Sequence, residues 1–231
     1  MLVLSLFAGC APVQRFPGPL AGMGREIAPA HMEKEPPAAP LPKPRKPPPA
    51  PGDGIALAAA GFLGDSTLVV DGKKYRWDCS GLVEASLSSA GCAWKGSSGD
   101  LFVDAKEARV LHRKRIPHPG DIAFFDDTWD KNGNGRRDDA LTHVAVVESV
   151  DPDGTIHLVH LGSHGVARIV MNLRHPDERE DESGKRINDY LRIKKAGDSP
   201  KTRYLAGELW VAFASYWDAD RPDQVSDRSV R

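Results

Sequence analysis

The sequence predicts an α+β domain in which N-terminal helices pack on an antiparallel β-sheet. Helix-like segments precede Pro117, strand-like apolar runs follow it, and a tight turn, Asp151-Pro152-Asp153-Gly154, joins two of those runs. Helices first and hairpin-linked strands afterwards is the pattern of segregated layers rather than of alternating βαβ units.

Residues 53–64 read as a short helix with Asp53 as N-cap and a glycine at its end. A second helix starts at Cys79 behind Asp78, whose carboxylate can accept hydrogen bonds from the first-turn N–H groups, and stops near Gly91. Residues 98–110 read as a third, with Leu101, Phe102, Ala105 and Ala108 on one face. Strands are expected over 121–125, 143–150, 155–160 and 166–171, and again over 190–194 and 209–213. Residues 176–186 form a charged loop.

Outside this domain, taken as residues 53–217, the texture differs. Thirteen of the 19 prolines fall in residues 12–51, so residues 11–52 read as an extended Pro/Ala-rich linker with little to bury. Residues 218–231 are a polar C-terminal tail. The net charge of −1 gives no global reason to bind nucleic acid, and three cysteines, Cys10, Cys79 and Cys92, make no disulfide framework. No segment is long and apolar enough to span a membrane as a helix. A monomer is expected.

Chemistry concentrates around Cys79. A cysteine in the first turn of a helix lies where the dipole favours a thiolate; it reads as a nucleophile or as a small buried residue. A nucleophile needs a base, and the base an orienting partner. His143 opens the apolar strand Val144-Ala145-Val146-Val147 directly after a polar loop, a poor place for a core residue. Strand alternation puts His160 on the face of Ile156 and Leu158, from which it can reach His143; His157 and His164 are the other claimants for that role. His112, His118 and His175 are expected to be solvated.

The ordered set Asp78-Cys79-Ser80-Gly81-Leu82-Val83, Pro119-Gly120-Asp121 and His143-Val144-Ala145-Val146-Val147 resembles NlpC-type cell-wall cysteine peptidases. Its second half also resembles the related CHAP domains. The resemblance spans about residues 53–173. It implies a papain-like fold, Cys79 as nucleophile, His143 as base and His160 as the orienting residue, with Tyr75 contributing to the oxyanion site. It also implies a peptidoglycan hydrolase, an endopeptidase of the stem peptide, with no cofactor required for catalysis. The alternatives are a CHAP-like N-acetylmuramoyl-L-alanine amidase and a non-catalytic cell-wall-binding lipoprotein. Two departures stand out: Trp77 runs straight into Asp78 without the usual glycine-rich segment, and the link from Phe125 to His143 is longer than usual. Residues 1–10, ending Ala8-Gly9-Cys10, resemble a shortened lipoprotein signal. That implies a bacterial envelope location, periplasmic or membrane-anchored through lipidated Cys10, with secretion as the alternative.

The long link carries a second pattern. Asp130, Asn132, Asn134 and Asp138 supply oxygen side chains at loop positions 1, 3, 5 and 9, Gly135 stands at 6, and Arg136 offers a backbone carbonyl at 7. This is the start of an EF-hand-like calcium loop; position 12 is Leu141 rather than an acid, and Asp139, or Asp126 or Asp127 from outside the loop, is left to complete the shell. A structural calcium and a polar Asn/Gly turn are the two readings.

Overall fold

The apolar runs after Pro117 form the centre of the molecule. In the computed structural model, which describes residues 50–196 and 198–219, they build one six-stranded antiparallel sheet. In chain order the elements are α1 (Asp53–Gly61), β1 (Val69–Val70), β2 (Lys73–Lys74), α2 (Cys79–Ser89), α3 (Ser98–Glu107), β3 (Leu111–His112), β4 (Ile122–Phe125), β5 (His143–Val150), β6 (Thr155–Gly162), β7 (Gly165–Asn172), α4 (Ala206–Leu209) and β8 (Trp210–Ala214), followed by a 3₁₀ turn, Tyr216–Asp218. The sheet order is β3-β8-β4-β5-β6-β7; β1 and β2 form a separate hairpin.

Every residue of β4 is buried because both faces of the sheet are covered. Ile122, Phe124, Val144, Val146 and Val159 pack against Ile55 and Ala59 of α1, Leu82 of α2 and Leu101 of α3. Ala123, Phe125, Ala145, Val147, Ile156 and Leu158 face a second core closed by Leu173, Ala206 and Leu209. This period-two division is the alternation a doubly covered strand must show. Asn188 fastens the second cover: its Nδ2 donates to the carbonyls of His175 and Glu178, at 2.8 and 2.7 Å. Its Oδ1 accepts from the N–H groups of Asn172 and Gly207.

Several boundaries differ from expectation for identifiable reasons. Asp53 lies inside the first turn of α1 rather than at its N-cap, and its carboxylate accepts the Ala50 N–H at 2.7 Å. Residues 190–194 form no strand: the N–H groups of Leu191 and Arg192 both go to the Tyr204 carbonyl, so no alternating ladder develops, and only the bridge Tyr190↔Leu205 remains. The last strand starts one residue late because Glu208 caps a helical turn before it, accepting from the N–H groups of Tyr204 and Leu205. The β1–β2 hairpin turns on Asp71-Gly72, both at positive φ, which is what a two-residue hairpin turn needs. Cys10 and nearly all of the Pro/Ala-rich linker lie outside the described residues. No helix among the described residues is long and apolar enough to cross a membrane.

The Pro119-Gly120-Asp121 run is explained by what it touches. Gly120 has φ +84°, and a Cβ there would meet the Gly52 carbonyl oxygen at 2.2 Å. Asp121 is fully buried and accepts from the His118 N–H, the Ser215 hydroxyl and the Trp217 indole, at 2.8, 2.7 and 3.0 Å. His112 Nε2 lies 3.1 Å away. His112 is therefore not simply solvated: β3 carries it to Asp121, and the turn before β4 brings the His118 amide, while the His118 residue itself stays exposed. Burial pushes the Asp121 carboxyl up, but the donors outweigh it and hold it below its ordinary value. Asp121→Ala is expected to cost about 3–5 kcal/mol by stranding these donors, measured by urea denaturation; a loss within about 0.5 kcal/mol would show that the cluster does not hold the sheet to the C-terminal turn.

Candidate active site

The site starts with the first turn of α2. Asp78 has extended backbone and accepts the Gly81 N–H at 2.7 Å, as an N-cap should. Gly81 lets the preceding chain lie directly on the helix, since a Cβ there would meet the Arg76 carbonyl oxygen at 2.0 Å. Arg76 then holds the approach: its guanidinium donates to Glu84 and to the Gly96 carbonyl, each at 2.7 Å. The fixed turn presents Cys79 to the start of β5. The Val144 N–H, the Ser80 hydroxyl and the Ser80 N–H all donate toward its sulfur.

β5 and β6 supply the histidines. The register Val146↔Val159 and Val147↔Leu158, continued toward the start of β5, sets Ala145 against His160 and His143 against Gly162. The two rings are then diagonal neighbours on one face. His143 Nε2 lies 3.0 Å from His160 Nδ1, with the rings edge to face. A Cβ at position 162 would approach the His160 ring to 3.0 Å, so glycine opposite His143 gives that ring its room. His157 points elsewhere, 3.1 Å from Asp151, and His164 stands on the groove wall.

Cys79, His143 and His160 line one groove of about 740 Å³. Its rim carries Trp77, Trp129, Tyr190 and Ile193, which are 43–71% exposed, together with the basic Arg76 and Lys131. The sequence alone leaves Trp129 open between core and groove and gives no place in the rim to Trp77, Tyr190 or Ile193; the signal was Trp77 beside the cysteine motif. Tyr75 is not part of the groove. It is buried in the helix-side core beneath Lys73, because the β1–β2 hairpin turns it inward.

The electrostatics also correct an expectation. Burial pushes the Cys79 thiol above its ordinary value, with Asp78 adding to the effect, and the Val144 and Ser80 donors lower it without reversing that. His143 is pushed down to about 3, first by burial and then by His160, and His160 to about 4 by burial. The resting site thus holds a neutral thiol and two neutral imidazoles. A hydrogen bond between neutral rings requires one proton in the shared position. With Nε2–H of His143 donating to His160 Nδ1, Nδ1 of His143 is left as the free lone pair.

In the calcium-like loop, Asn132 and Asn134 turn their amides onto Asp138, at 3.3 and 3.1 Å. The Gly135 N–H donates to Asp130 at 3.0 Å. Among the described residues no group of three or more His, Cys, Asp or Glu side chains gathers as a metal cluster.

Comparison with known proteins gives one family match: residues 70–161 fit the model of the CHAP domain. This favours the CHAP side of the resemblance and leaves the NlpC side without separate support. No curated protein and no solved structure matches.

Two outcomes follow from the buried neutral groups. Both histidines titrate below their ordinary 6.5 in the folded chain, so the unfolded chain binds protons first as pH falls. Stability is full above that value and declines through the window from 6.5 toward 4 and then 3. The slope is at most about 1.4 kcal/mol per pH unit per group. Thermal melts should show the combined variant His143→Gln/His160→Gln flatter over this window, and equal slopes would contradict the assignment. Second, alkylation of Cys79 by iodoacetamide should keep rising above about pH 8, against Cys79→Ala as blank. A fast plateau reaching down to about pH 5 would instead mean a preformed thiolate–imidazolium pair.

Proposed function

Residues 70–161 match the CHAP domain, and from that premise we propose that the protein hydrolyses an amide bond of peptidoglycan with Cys79 as nucleophile. The observation that carries this reading is the 3.0 Å contact of His143 Nε2 with His160 Nδ1, in the groove that also holds Cys79. A neutral base with its second nitrogen fixed by hydrogen bonding is what thiol activation requires.

In the proposed reaction, Nδ1 of His143 takes the thiol proton as sulfur attacks the carbonyl carbon. The imidazolium so formed donates from Nε2 to His160. The first-turn N–H of Cys79, which has no partner within the helix, faces the developing oxyanion in place of the Tyr75 hydroxyl. The tetrahedral adduct collapses, the C–N bond breaks, and the leaving amine takes the proton from His143. Water, deprotonated by the same nitrogen, then releases the acyl group and restores the thiol. The open groove and its exposed aromatic rim suit an extended polymer better than a small solute.

The bond we favour lies in the stem peptide, between a D-amino acid and the residue that follows it. Cleavage between muramic acid and L-alanine is the other product pattern, and muropeptide mapping separates them. Acylation of Cys10 would hold the domain at an envelope membrane behind its proline-rich spacer. Purified sacculi should release muropeptides with wild type, none above background with Cys79→Ala, and about 10²–10⁴-fold less with His143→Ala. Equal release by wild type and Cys79→Ala would rule out the cysteine mechanism and favour a cell-wall-binding module.

A further inference from the structure

Of the buried side-chain polar atoms without a partner among the described residues, two of three are carboxylate oxygens of one loop: Asp130 Oδ1 and Asp139 Oδ2. Asp139 is only 6% exposed, so its unpaired oxygen is not a surface accident. An ionised oxygen shut away from water without a donor is costly, and a chain keeps one only where something compensates it. Among the described residues no donor reaches either atom, yet their companions are satisfied. Asp139 Oδ1 accepts the Asn132 N–H at 3.2 Å, which draws this carboxylate into the loop. Asp130 Oδ2 accepts the Gly135 N–H at 3.0 Å. Each acid is thus held by one oxygen and leaves the other over.

The surrounding groups are oxygen-rich and hard. Asp138 stands at 3.3 Å from the Asn132 amide and 3.1 Å from that of Asn134, and Gly133 and Gly135 take positive φ, letting the chain double back around them. We propose that the loop from Asp130 to Asp139 is a calcium site whose two anchoring carboxylates are Asp130 and Asp139. The structure narrows the acids that can complete the set to one. The acid that replaces the missing one at position 12 is Asp139, at position 10, not Asp126 or Asp127. Asp126 Oδ1 accepts the Leu141 N–H at 2.7 Å and Asp127 Oδ1 the Asp139 N–H at 2.9 Å, so these two brace the loop from outside. Calcium tolerates such an irregular set of oxygen ligands; magnesium, which demands a near-ideal octahedron, does not. With few charges and no bidentate acid at position 12, affinity falls in the weak extracellular range, on the order of 10⁻⁴ M.

The site also has a place in the groove. Trp129 and Lys131, on either side of Asp130, line the groove wall, and Trp129 donates its indole N–H to the carbonyl of Thr142, next to His143. Calcium would therefore order a wall of the groove without touching the reacting atoms.

The test uses the full chain dialysed against EDTA. Terbium should give luminescence sensitised through the adjacent Trp129 and be displaced by calcium. Calcium at 5 mM, roughly fifty times the expected dissociation constant, should raise the melting temperature by about 5 °C, with magnesium giving less than half of that. Asp130→Asn should weaken terbium binding at least tenfold. Asp139→Asn should melt no lower than wild type in EDTA, because it removes an unpaired charge, but should lose the calcium shift. Absence of terbium luminescence, an equal response to magnesium, or an Asp139→Asn variant destabilised in EDTA and still shifted by calcium would each overturn the proposal. These readouts do not depend on Cys79, so a failure here is distinct from a failure of the hydrolase reading.

Discussion

The close approach of the Arg76 carbonyl to Gly81 governs the geometry of the groove. With no side chain at position 81, the segment before α2 lies flat on the helix start, and the sulfur of Cys79 is presented at the Val144 amide. A methyl group there would displace either the approach or the helix. Because α2 is buried on nearly all sides, its position is set by packing rather than by an amphipathic stripe, and any displacement would be passed to the sheet.

The molecule places its charges in two different ways. Asp121 is buried and fully donated to, so it joins β3, β4 and the C-terminal turn as a structural bolt. The acids of the long link are buried by halves, each with one satisfied oxygen and one left over. That contrast is why similar carboxylates carry different readings: a complete donor set explains itself, whereas an incomplete one asks for a partner that the described residues do not provide.

Much of this was readable from the sequence because it depended on local rules. The Asp78 cap, the start of α2, the extent of β5 and the pairing of β5 with β6 through the Asp153-Gly154 turn all follow from turn chemistry and periodicity. Strand alternation then sufficed to bring His160 to His143. What could not be read depended on partners distant in the chain. His112 looked solvated because nothing local shows that Asp121 will lie beside it. Tyr75 looked like a site residue through the family resemblance alone, but the short β1–β2 hairpin turns it into the core. Burial, a property of the whole packed domain, raises the Cys79 thiol, and nothing in the local sequence at the helix start shows it.

The choice of a second histidine as the partner of His143 has a consequence for where such a site can operate. A carboxylate in that place would leave a fixed negative charge in the groove, and its influence on the thiol would weaken as salt rises. Two neutral rings, joined by one hydrogen bond 3.0 Å long, carry no charge for ions to screen. The contact between the two rings is thereby less sensitive to ionic strength than a ring paired with a carboxylate would be.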